Sequence, residues 1–167
     1  SVLIAALTSS GGLGARAPVR SWGGVPAEVL VENWTLPALR SWNAAAGRLT
    51  LRPGLRIVVA ADSRADVREL AAQFAADLAR VSGLTAPIVS GAARRGDIAL
   101  LIGEAAQGSA SVESYNIAVS DRIELKGRAR AGLLYASQTL LQILRHDRAG
   151  RSLPTGTTQD WPVPSAR

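Results

Sequence analysis

The chain has no cysteine, no methionine, a single histidine and only 4% aromatic residues. The absence of cysteine excludes disulfides and thiolate metal sites. The one histidine, His146, stands at the charged end of a predicted helix, where a cation is favoured by the helix dipole. It has no second histidine with which to share a metal ion. We therefore predict neither a bound metal ion nor a cofactor.

Basic residues outnumber acidic ones, 19 to 13, which gives a net charge of +6. All of them except Lys126 are arginines, scattered from Arg16 to Arg167, and only Arg94 and Arg95 are adjacent. Nucleic-acid-binding surfaces combine clustered basic residues with aromatic stacking platforms, and the sequence shows neither. We predict no nucleic-acid partner. Hydrophobic residues make up 47% of the 167 residues, which is enough for one folded domain.

An apolar run, Val2–Leu7, opens the chain and is followed by small residues and the A-x-A pattern Ala15–Ala17. This order is typical of the end of a secretory signal. We expect residues 1–17 to be a signal-peptide remnant and the protein to be exported to the cell exterior or envelope; a leader without that function is the alternative. The run is too short to cross a bilayer, so no membrane span is expected in the mature chain. Residues 18–33, with Gly and Pro, are predicted to be a linker.

Alternating and β-branched runs predict several strands separated by two helices. Leu55–Ala60 is the clearest strand. The first helix is expected to open at Ser63, with Asp66 placed as in a capping box, and to end before Gly83. Its apolar stripe consists of Val67, Leu70, Phe74, Leu78 and Val81. The other predicted pieces are a turn at 44–47, strands at 48–51, 86–90, 97–103, 115–119 and 123–126, and an extended tail from Leu153. This order predicts an α+β fold with one mostly antiparallel sheet and two helices packed on one face.

The longest apolar element is a helix predicted over Arg130–Arg145. Its core-facing stripe, with three-to-four spacing, consists of Leu133, Leu140, Leu141 and Leu144. Leu134, Tyr135 and Ile143 lie outside that stripe. A helix that is apolar around most of its circumference is buried on more than one side. We expect a layer from outside the chain to cover the extra surface; the alternative is a central core helix of a self-sufficient domain.

Three blocks of residues are similar to a known family. The first block is the segment 34–42, WTLPALRSW, followed by 47–51 and 54–59. The second is a hairpin that begins at Glu113–Tyr115, with the helix segment 132–144, GLLYASQTLLQIL. The third is Leu153-Pro154, then Asp160-Trp161-Pro162 and Arg167. Together, over about Leu36 to Arg167, they resemble the domain that precedes the barrel in family 20 glycoside hydrolases, the β-N-acetylhexosaminidases.

The resemblance implies an α+β fold of the zincin-like, hexosaminidase N-terminal type over residues 34–154. It implies a junction at 155–167 that leads to a catalytic barrel absent from this chain. Enzymes of the family remove terminal N-acetylhexosamine with the substrate's own acetamido oxygen as nucleophile, and they need an adjacent Asp-Glu pair. No Asp-Glu dipeptide occurs here. No catalytic or substrate-binding residue can therefore be assigned to this chain, and the glycan would bind to the barrel.

We predict that the chain supports the barrel of its own polypeptide without catalysing the reaction. The residues expected at that interface are Leu134, Tyr135, Gln138, Gln142, Asp160, Pro162 and Arg167. Four carboxylates are not spaced to form a catalytic pair, and we interpret them as surface or hairpin charges. They are Glu104, Glu113, Glu124 and Asp160. Two alternatives are the equivalent domain of another barrel glycosidase, hyaluronidase-like or an α-glucuronidase, and a free-standing carbohydrate-binding module.

Overall fold

The computed structural model describes residues 31, 34–106 and 109–161. Over these residues the chain forms one seven-stranded sheet and two helices. In chain order the elements are β1 (Asn43–Thr50), β2 (Ile57–Val59), α1 (Ala65–Ser82), β3 (Ile88–Ser90), β4 (Ile98–Ile102), β5 (Tyr115–Val119), β6 (Ile123–Gly127), α2 (Arg130–Arg145) and β7 (Ser152–Asp160). The predicted α+β class is confirmed.

The strand order across the sheet is β1-β7-β5-β6-β4-β2-β3. The pairs β1–β7, β7–β5 and β5–β6 are antiparallel. The pairs β6–β4, β4–β2 and β2–β3 are parallel. The sheet is therefore mixed, and antiparallel pairing describes one half of it rather than most of it. The parallel half arises because α1 is a crossover that returns the chain to the same end of the sheet before β3.

Alternate residues of the central hairpin face different environments. Ile117, Ile123 and Leu125 are fully buried, whereas the adjacent residues Asn116 and Glu124 are only half-buried. This alternation places the apolar side chains on one face of the sheet. Both helices pack against the sheet and against each other. The predicted arrangement of two helices on one face is confirmed, and the core lies between them and the sheet.

The two strands at one edge of the sheet correct the sequence interpretation. Residues 44–47, predicted to be a turn, belong to β1, where the pairing with β7 shifts register between Ala44 and Arg48. Gly47, with a φ of 104°, supplies the backbone conformation that such a bulge needs. Residues 155–160, which the sequence assigned to a junction, belong to β7, which pairs with β1 on one side and with β5 on the other.

The start of α1 differs from the predicted capping box. The helix begins at Ala65, and its N-cap residue Arg64 makes no side-chain cap hydrogen bond. Ser63 lies one residue too early to cap the first turn, so the pairing of Ser63 with Asp66 is not formed. The guanidinium of Arg68 instead reaches back and donates to backbone carbonyls of the preceding loop, at 2.9 and 3.2 Å.

The C-terminal end of α1 lies where the sequence predicts it, before Gly83. Gly83 is left-handed, with a φ of 68°, and its N–H donates to the carbonyl of Ala79. The last carbonyl of the helix, that of Ser82, accepts a hydrogen bond of 2.7 Å from Arg151 Nε. Because Arg151 immediately precedes β7, this bond ties the end of α1 to the beginning of that strand.

Helix α2 is covered mainly by its own chain. Leu133, Leu140 and Ile143 are all 0% exposed, although Ile143 lies off the predicted stripe. The expectation that a layer from outside the chain covers the apolar surface outside the stripe was therefore wrong for Ile143. Leu134 is only half-buried, and Tyr135 is 43% exposed. Neither helix is long and apolar enough to cross a membrane.

Candidate docking surface beside the long helix

A groove of about 480 Å³ lies beside α2. Its lining comes from the outer side of α2, from the segment before β1, and from β5 and the end of β7. The lining residues are Leu36, Pro37, Ala38, Arg40, Tyr115, Tyr135, Gln138, Thr139, Gln142, Asp160 and Trp161. These parts are distant in sequence, so only the folded sheet brings them together. We call this surface the α2 groove.

Large apolar side chains are exposed at the α2 groove. Leu36 is 87% exposed and Tyr135 is 43% exposed. Pro37 and Ala38 are also exposed beside Leu36. Removing apolar surface from water is worth about 25 cal/mol per Å², and exposed apolar patches of this kind mark interaction sites. The groove therefore has the character of a docking surface.

A chain of hydrogen bonds links three elements at one side of the groove. The hydroxyl of Tyr115 on β5 donates to Asp160 Oδ2 at the end of β7, at 3.1 Å. A carboxylate can only accept, so the one hydrogen of the Tyr115 hydroxyl is used in that bond. The hydroxyl of Thr139 on α2, 3.0 Å away, must then donate to Tyr115 Oη. All three residues are buried, and each has a partner.

The environment keeps Tyr115 in its protonated form. Burial raises the pKa of the Tyr115 phenol well above its ordinary value, and the negative charge of Asp160 raises it further. The hydrogen bond with Thr139 acts in the opposite direction but is outweighed. Tyr115 therefore stays a hydrogen-bond donor to Asp160 at all physiological pH values.

The segment before β1 is fastened to the C-terminal part of α2. The N–H of Leu36 donates to Gln142 Oε1 at 2.6 Å. The Trp34 ring stacks on His146, with ring centroids 4.8 Å apart and planes 10° apart. His146 Nε2 also lies 3.1 Å from the carbonyl oxygen of Trp34. The predicted position of His146 at the helix end is correct, and the structure adds its contact with Trp34.

The same segment is seated on β7 through a buried tryptophan. Trp42 is 2% exposed. A Cβ added to Gly156 would lie 2.8 Å from the Trp42 ring, so only glycine allows this close approach. Two residues further along β7, the hydroxyl of Thr158 donates to the carbonyl of Ser41. These contacts hold the segment between α2 and β7 in place.

Four of the seven residues predicted at the interface line the α2 groove: Tyr135, Gln138, Gln142 and Asp160. Leu134 instead lines a second groove of about 410 Å³ between α1 and α2, where it packs against the core. Pro162 and Arg167 lie outside the described residues. The sequence-based set therefore falls on both flanks of α2 rather than on one surface.

Sequence reasoning assigned no interface role to Leu36, Arg40 or Tyr115. Tyr115 carried a usable signal, because an inward-facing tyrosine in an alternating strand needs a partner for its hydroxyl. Leu36 and Arg40 carried none, since their places at the groove depend on contacts with Gln142 and Trp161, which are 106 and 121 residues away in the sequence.

Of the four carboxylates interpreted as surface or hairpin charges, Glu104, Glu113 and Glu124 are exposed or half-buried, whereas Asp160 is buried. Glu104 pairs with Arg128 at 3.0 Å, and Glu124 pairs with Arg122 at 2.8 Å. Asp160 belongs to the Tyr115 network described above. Within residues 34–106 and 109–161, together with residue 31, no group of three His, Cys, Asp or Glu side chains could hold a metal ion.

Solved structures of bacterial β-N-acetylhexosaminidases contain the same fold. The family 20 β-N-acetylhexosaminidase of Streptomyces coelicolor superposes with a TM-score of 0.64 at 23% identity, over 78% of this chain and 26% of that one. The N-acetyl-β-hexosaminidase of Streptomyces plicatus gives 0.60 at 20% identity, over 81% and 26%. The Bacteroides fragilis β-N-acetylhexosaminidase gives 0.57 at 21% identity, over 75% and 24%. The fold is thus that of a glycoside hydrolase domain, and this chain spans about a quarter of the length of these proteins.

The particular domain is identified by its sequence. The family model of glycosyl hydrolase family 20, domain 2, matches residues 34–161, and the chain belongs to that family. This confirms the resemblance drawn from the three sequence blocks. The matched range runs from the tryptophan that stacks on His146 to the tryptophan that lines the α2 groove, and so includes the whole sheet and both helices. No curated protein matches the chain.

Proposed function

We propose that the chain is the non-catalytic N-terminal domain of an exported β-N-acetylhexosaminidase. In this proposal the α2 groove receives the catalytic barrel of the same polypeptide. The barrel would hydrolyse terminal N-acetylhexosamine from glycans with the acetamido group of the substrate as nucleophile, as the family resemblance implies. Membership of glycosyl hydrolase family 20 favours this over a hyaluronidase-like or α-glucuronidase parent.

The observation that carries the docking role is the exposed apolar rim of the α2 groove. Leu36 belongs to the segment before β1 and Tyr135 to α2, and their side chains are 87% and 43% exposed, respectively. The two elements are held together by the chain's own contacts, because Gln142 on α2 accepts the N–H of Leu36. The groove is therefore formed before a partner arrives, and little conformational entropy is lost on docking. Domain interfaces within one chain bury roughly 600–1,500 Å².

The end of β7 supports a partner in the same polypeptide. The strand ends at Asp160, and both Asp160 and Trp161 line the groove. A domain attached after this point is tethered directly beside the surface it would cover. Tethering makes docking intramolecular, with an effective concentration in the millimolar range for a short linker. Even a modest apolar contact is then sufficient for stable packing.

The absence of an Asp-Glu dipeptide from all 167 residues supports the view that the reaction takes place elsewhere. A general acid needs a carboxyl group within reach of the scissile bond and a second group to assist it. Of the carboxylates considered from the sequence, Glu104 and Glu124 are held by arginines and Asp160 by Tyr115.

A chromogenic N-acetylglucosaminide tests the catalytic half of the proposal. We expect no turnover by the 167-residue chain, and turnover by the complete gene product, which should carry an Asp-Glu pair in a barrel after residue 167. Turnover by the 167-residue chain would refute the proposal. A gene product without a barrel would refute it equally.

Charge substitutions in the complete gene product test the docking half. Tyr135→Asp and Leu36→Asp should make the barrel more susceptible to proteolysis and lower the melting temperature of the complete gene product by several degrees. The matched control is Ile102→Asp, because Ile102 is 49% exposed and lies outside the α2 groove. If all three variants behave alike, the α2 groove is not the docking surface. Export is tested separately, by the presence of the protein in culture medium or envelope fractions.

A further inference from the structure

Trp161, the first residue after β7, is held at three separate points. Its N–H donates to Asp160 Oδ1 at 2.9 Å. Its carbonyl oxygen accepts a hydrogen bond from Arg40 Nε at 3.3 Å. Its ring lies under the guanidinium of Arg40, with 4.5 Å between Arg40 Cζ and the ring centroid. The backbone N–H, the backbone carbonyl and the side chain of Trp161 are thus all in contact with Arg40 or Asp160.

The two residues that hold Trp161 are themselves fixed. Arg40 Nε lies 3.5 Å from Asp160 Oδ1, so the cation and the carboxylate face each other across the Trp161 peptide. The other oxygen of the carboxylate accepts from the hydroxyl of Tyr115, which is bonded in turn to Thr139 on α2. Asp160 is 8% exposed. The grip on Trp161 is therefore anchored in the sheet, in helix α2 and in the segment before β1.

The beginning of β7 is held differently, although an arginine is present there too. Arg48 donates to Ser152 Oγ at 2.9 Å and to the Ser152 carbonyl at 3.1 Å. Ser152 carries neither an aromatic ring for Arg48 to cover nor a carboxylate. Both arginines donate to a backbone carbonyl at an end of β7, Arg48 to that of Ser152 and Arg40 to that of Trp161. Only Arg40 also covers an aromatic ring and faces a carboxylate. Arg48 therefore provides a matched control.

We propose that Arg40 and Asp160 form a clamp that fixes the direction in which the chain leaves β7. They act as positioning residues, because they hold Trp161 and thereby fix the direction of the backbone at the end of β7. The further step, in which this direction orients a catalytic barrel on the α2 groove, rests on the proposed function. The clamp itself concerns only the described residues of this chain.

Backbone ¹⁵N relaxation of the 167-residue chain tests the clamp directly. We expect the Trp161 amide to have an order parameter near 0.85, typical of rigid backbone, and to fall below about 0.6 in Arg40→Gln and Asp160→Asn. In Arg48→Gln it should stay at the wild-type value. The double variant should fall no further than either single variant, because both act on the same residue. Unchanged order at Trp161 in Arg40→Gln would overturn the proposal.

If Asp160→Asn folds poorly, Arg40→Gln alone tests the clamp. The Arg40 side chain is 38% exposed and lies at the surface, so we expect this variant to fold. Melting temperature separates the clamp from a merely structural role. We expect Arg40→Gln and Arg48→Gln to melt within a few degrees of wild type, while only the former loosens Trp161. A loss of order at Trp161 that appears only together with global unfolding would contradict the clamp.

The orientation step is tested in the complete gene product by distance measurements between one spin label on α1 and one on the barrel. Arg40→Gln should broaden the distance distribution, and Arg48→Gln should not. An unbroadened distribution in Arg40→Gln would overturn the orienting role. If the relaxation result holds but no barrel follows residue 167, the clamp stands and the proposed function fails. The two failures are thus distinguishable.

Discussion

The two helices show how differently similar apolar patterns can be used. Helix α1 buries six of its 18 residues, and its remaining face is open to solvent. Helix α2 buries nine of its 16 residues. Both have an apolar stripe at helical spacing, but α1 packs beside the short strands β2 and β3 and against α2. Helix α2 lies over strands β4 to β7, with α1 on one flank and the segment before β1 on the other.

This difference teaches that the number of neighbours decides the burial of a helix. An apolar stripe predicts which side of a helix faces the sheet, and the stripes of α1 and α2 both face it. It does not predict what lies on the flanks. Ile143 illustrates this, because it lies off the stripe of α2 and is nevertheless 0% exposed. The following predictions test the contrast between the helices, beginning with the largest effect.

Ile143→Ala in α2 should lower the free energy of unfolding by about 2–5 kcal/mol, because a fully buried side chain leaves a cavity. Val81→Ala in α1 should cost clearly less, about 1 kcal/mol, since Val81 is only half-buried at the helix end although it belongs to the predicted stripe. Urea denaturation of the 167-residue chain measures both. A loss in Val81→Ala as large as that in Ile143→Ala, or larger, would show that burial by the surrounding layers does not determine the energy.

Gly132→Ala should destabilise the chain by about 1–3 kcal/mol, although alanine is the better helix former by about 1 kcal/mol. The added Cβ would lie 2.2 Å from the carbonyl oxygen of Ser114, so α2 would have to move away from the loop before β5. The comparison in α1 is Ala72→Gly, at an exposed position. It should cost about 1 kcal/mol through helix propensity alone. A more stable Gly132→Ala variant would contradict the close contact.

Acid should weaken the parallel half of the sheet, in which α1 packs against β2 and β3. Hydrogen bonds from Arg56 hold the pKa of Asp97 below its ordinary value, and this pair joins the residue before β4 to the residue before β2. A carboxylate with a lowered pKa in the folded state contributes stability that is complete above about pH 5. That contribution is lost as the pH falls through the folded-state pKa.

Amide exchange across the acid range measures this effect. We expect the amides of Ile57–Val59 to lose protection in wild type before those of the central hairpin. Asp97→Asn should show a flatter dependence on pH. Asp77→Asn is the control, because Asp77 belongs to an exposed i,i+3 pair with Arg80 on α1, and such pairs contribute little. An Asp97→Asn variant with the wild-type acid profile would exclude this pair as the cause.

The smallest effect on stability is expected at the exposed side of α2. Tyr135→Ser should change the free energy of unfolding of the 167-residue chain by only about 0.5 kcal/mol, because Tyr135 is 43% exposed. In the complete gene product the same substitution should remove apolar surface from the proposed domain contact and lower the melting temperature further. Equal effects in the two proteins would argue against docking at this residue.

Elements with a local signal were predicted well. The predicted helix Arg130–Arg145 has the observed bounds of α2, and the hairpin strands differ from prediction by one residue. Gly83 ends α1 as expected. In these cases periodicity, a tight turn or a glycine acts over a few residues, so neighbouring residues in the sequence are sufficient to specify the structure.

The two strands at the β1 edge of the sheet were predicted only in part. The sequence predicted a strand at 48–51, but residues 43–47 are small or polar, and they belong to β1 because β7, which is distant in the sequence, lies beside them. The same distance hid the extent of β7 and the coverage of α2 by Trp34 and Leu36. At the candidate site the sequence therefore identified Tyr135 and Gln142 on α2, but not Arg40. The position of Arg40 depends on contacts across 121 residues.

The bulge in β1 has a consequence for the behaviour of the protein in solution. Among the strands of the described residues, β1 is the outermost on its side of the sheet, and seven of its eight residues are exposed. A straight strand in that place would be a template for a neighbouring copy. The register shift before Arg48 interrupts the regular spacing of its free N–H and C=O groups, and Arg48 adds charge. A strand from another copy cannot match this spacing along its length, so the β1 edge of the sheet resists fibre-like growth at high concentration.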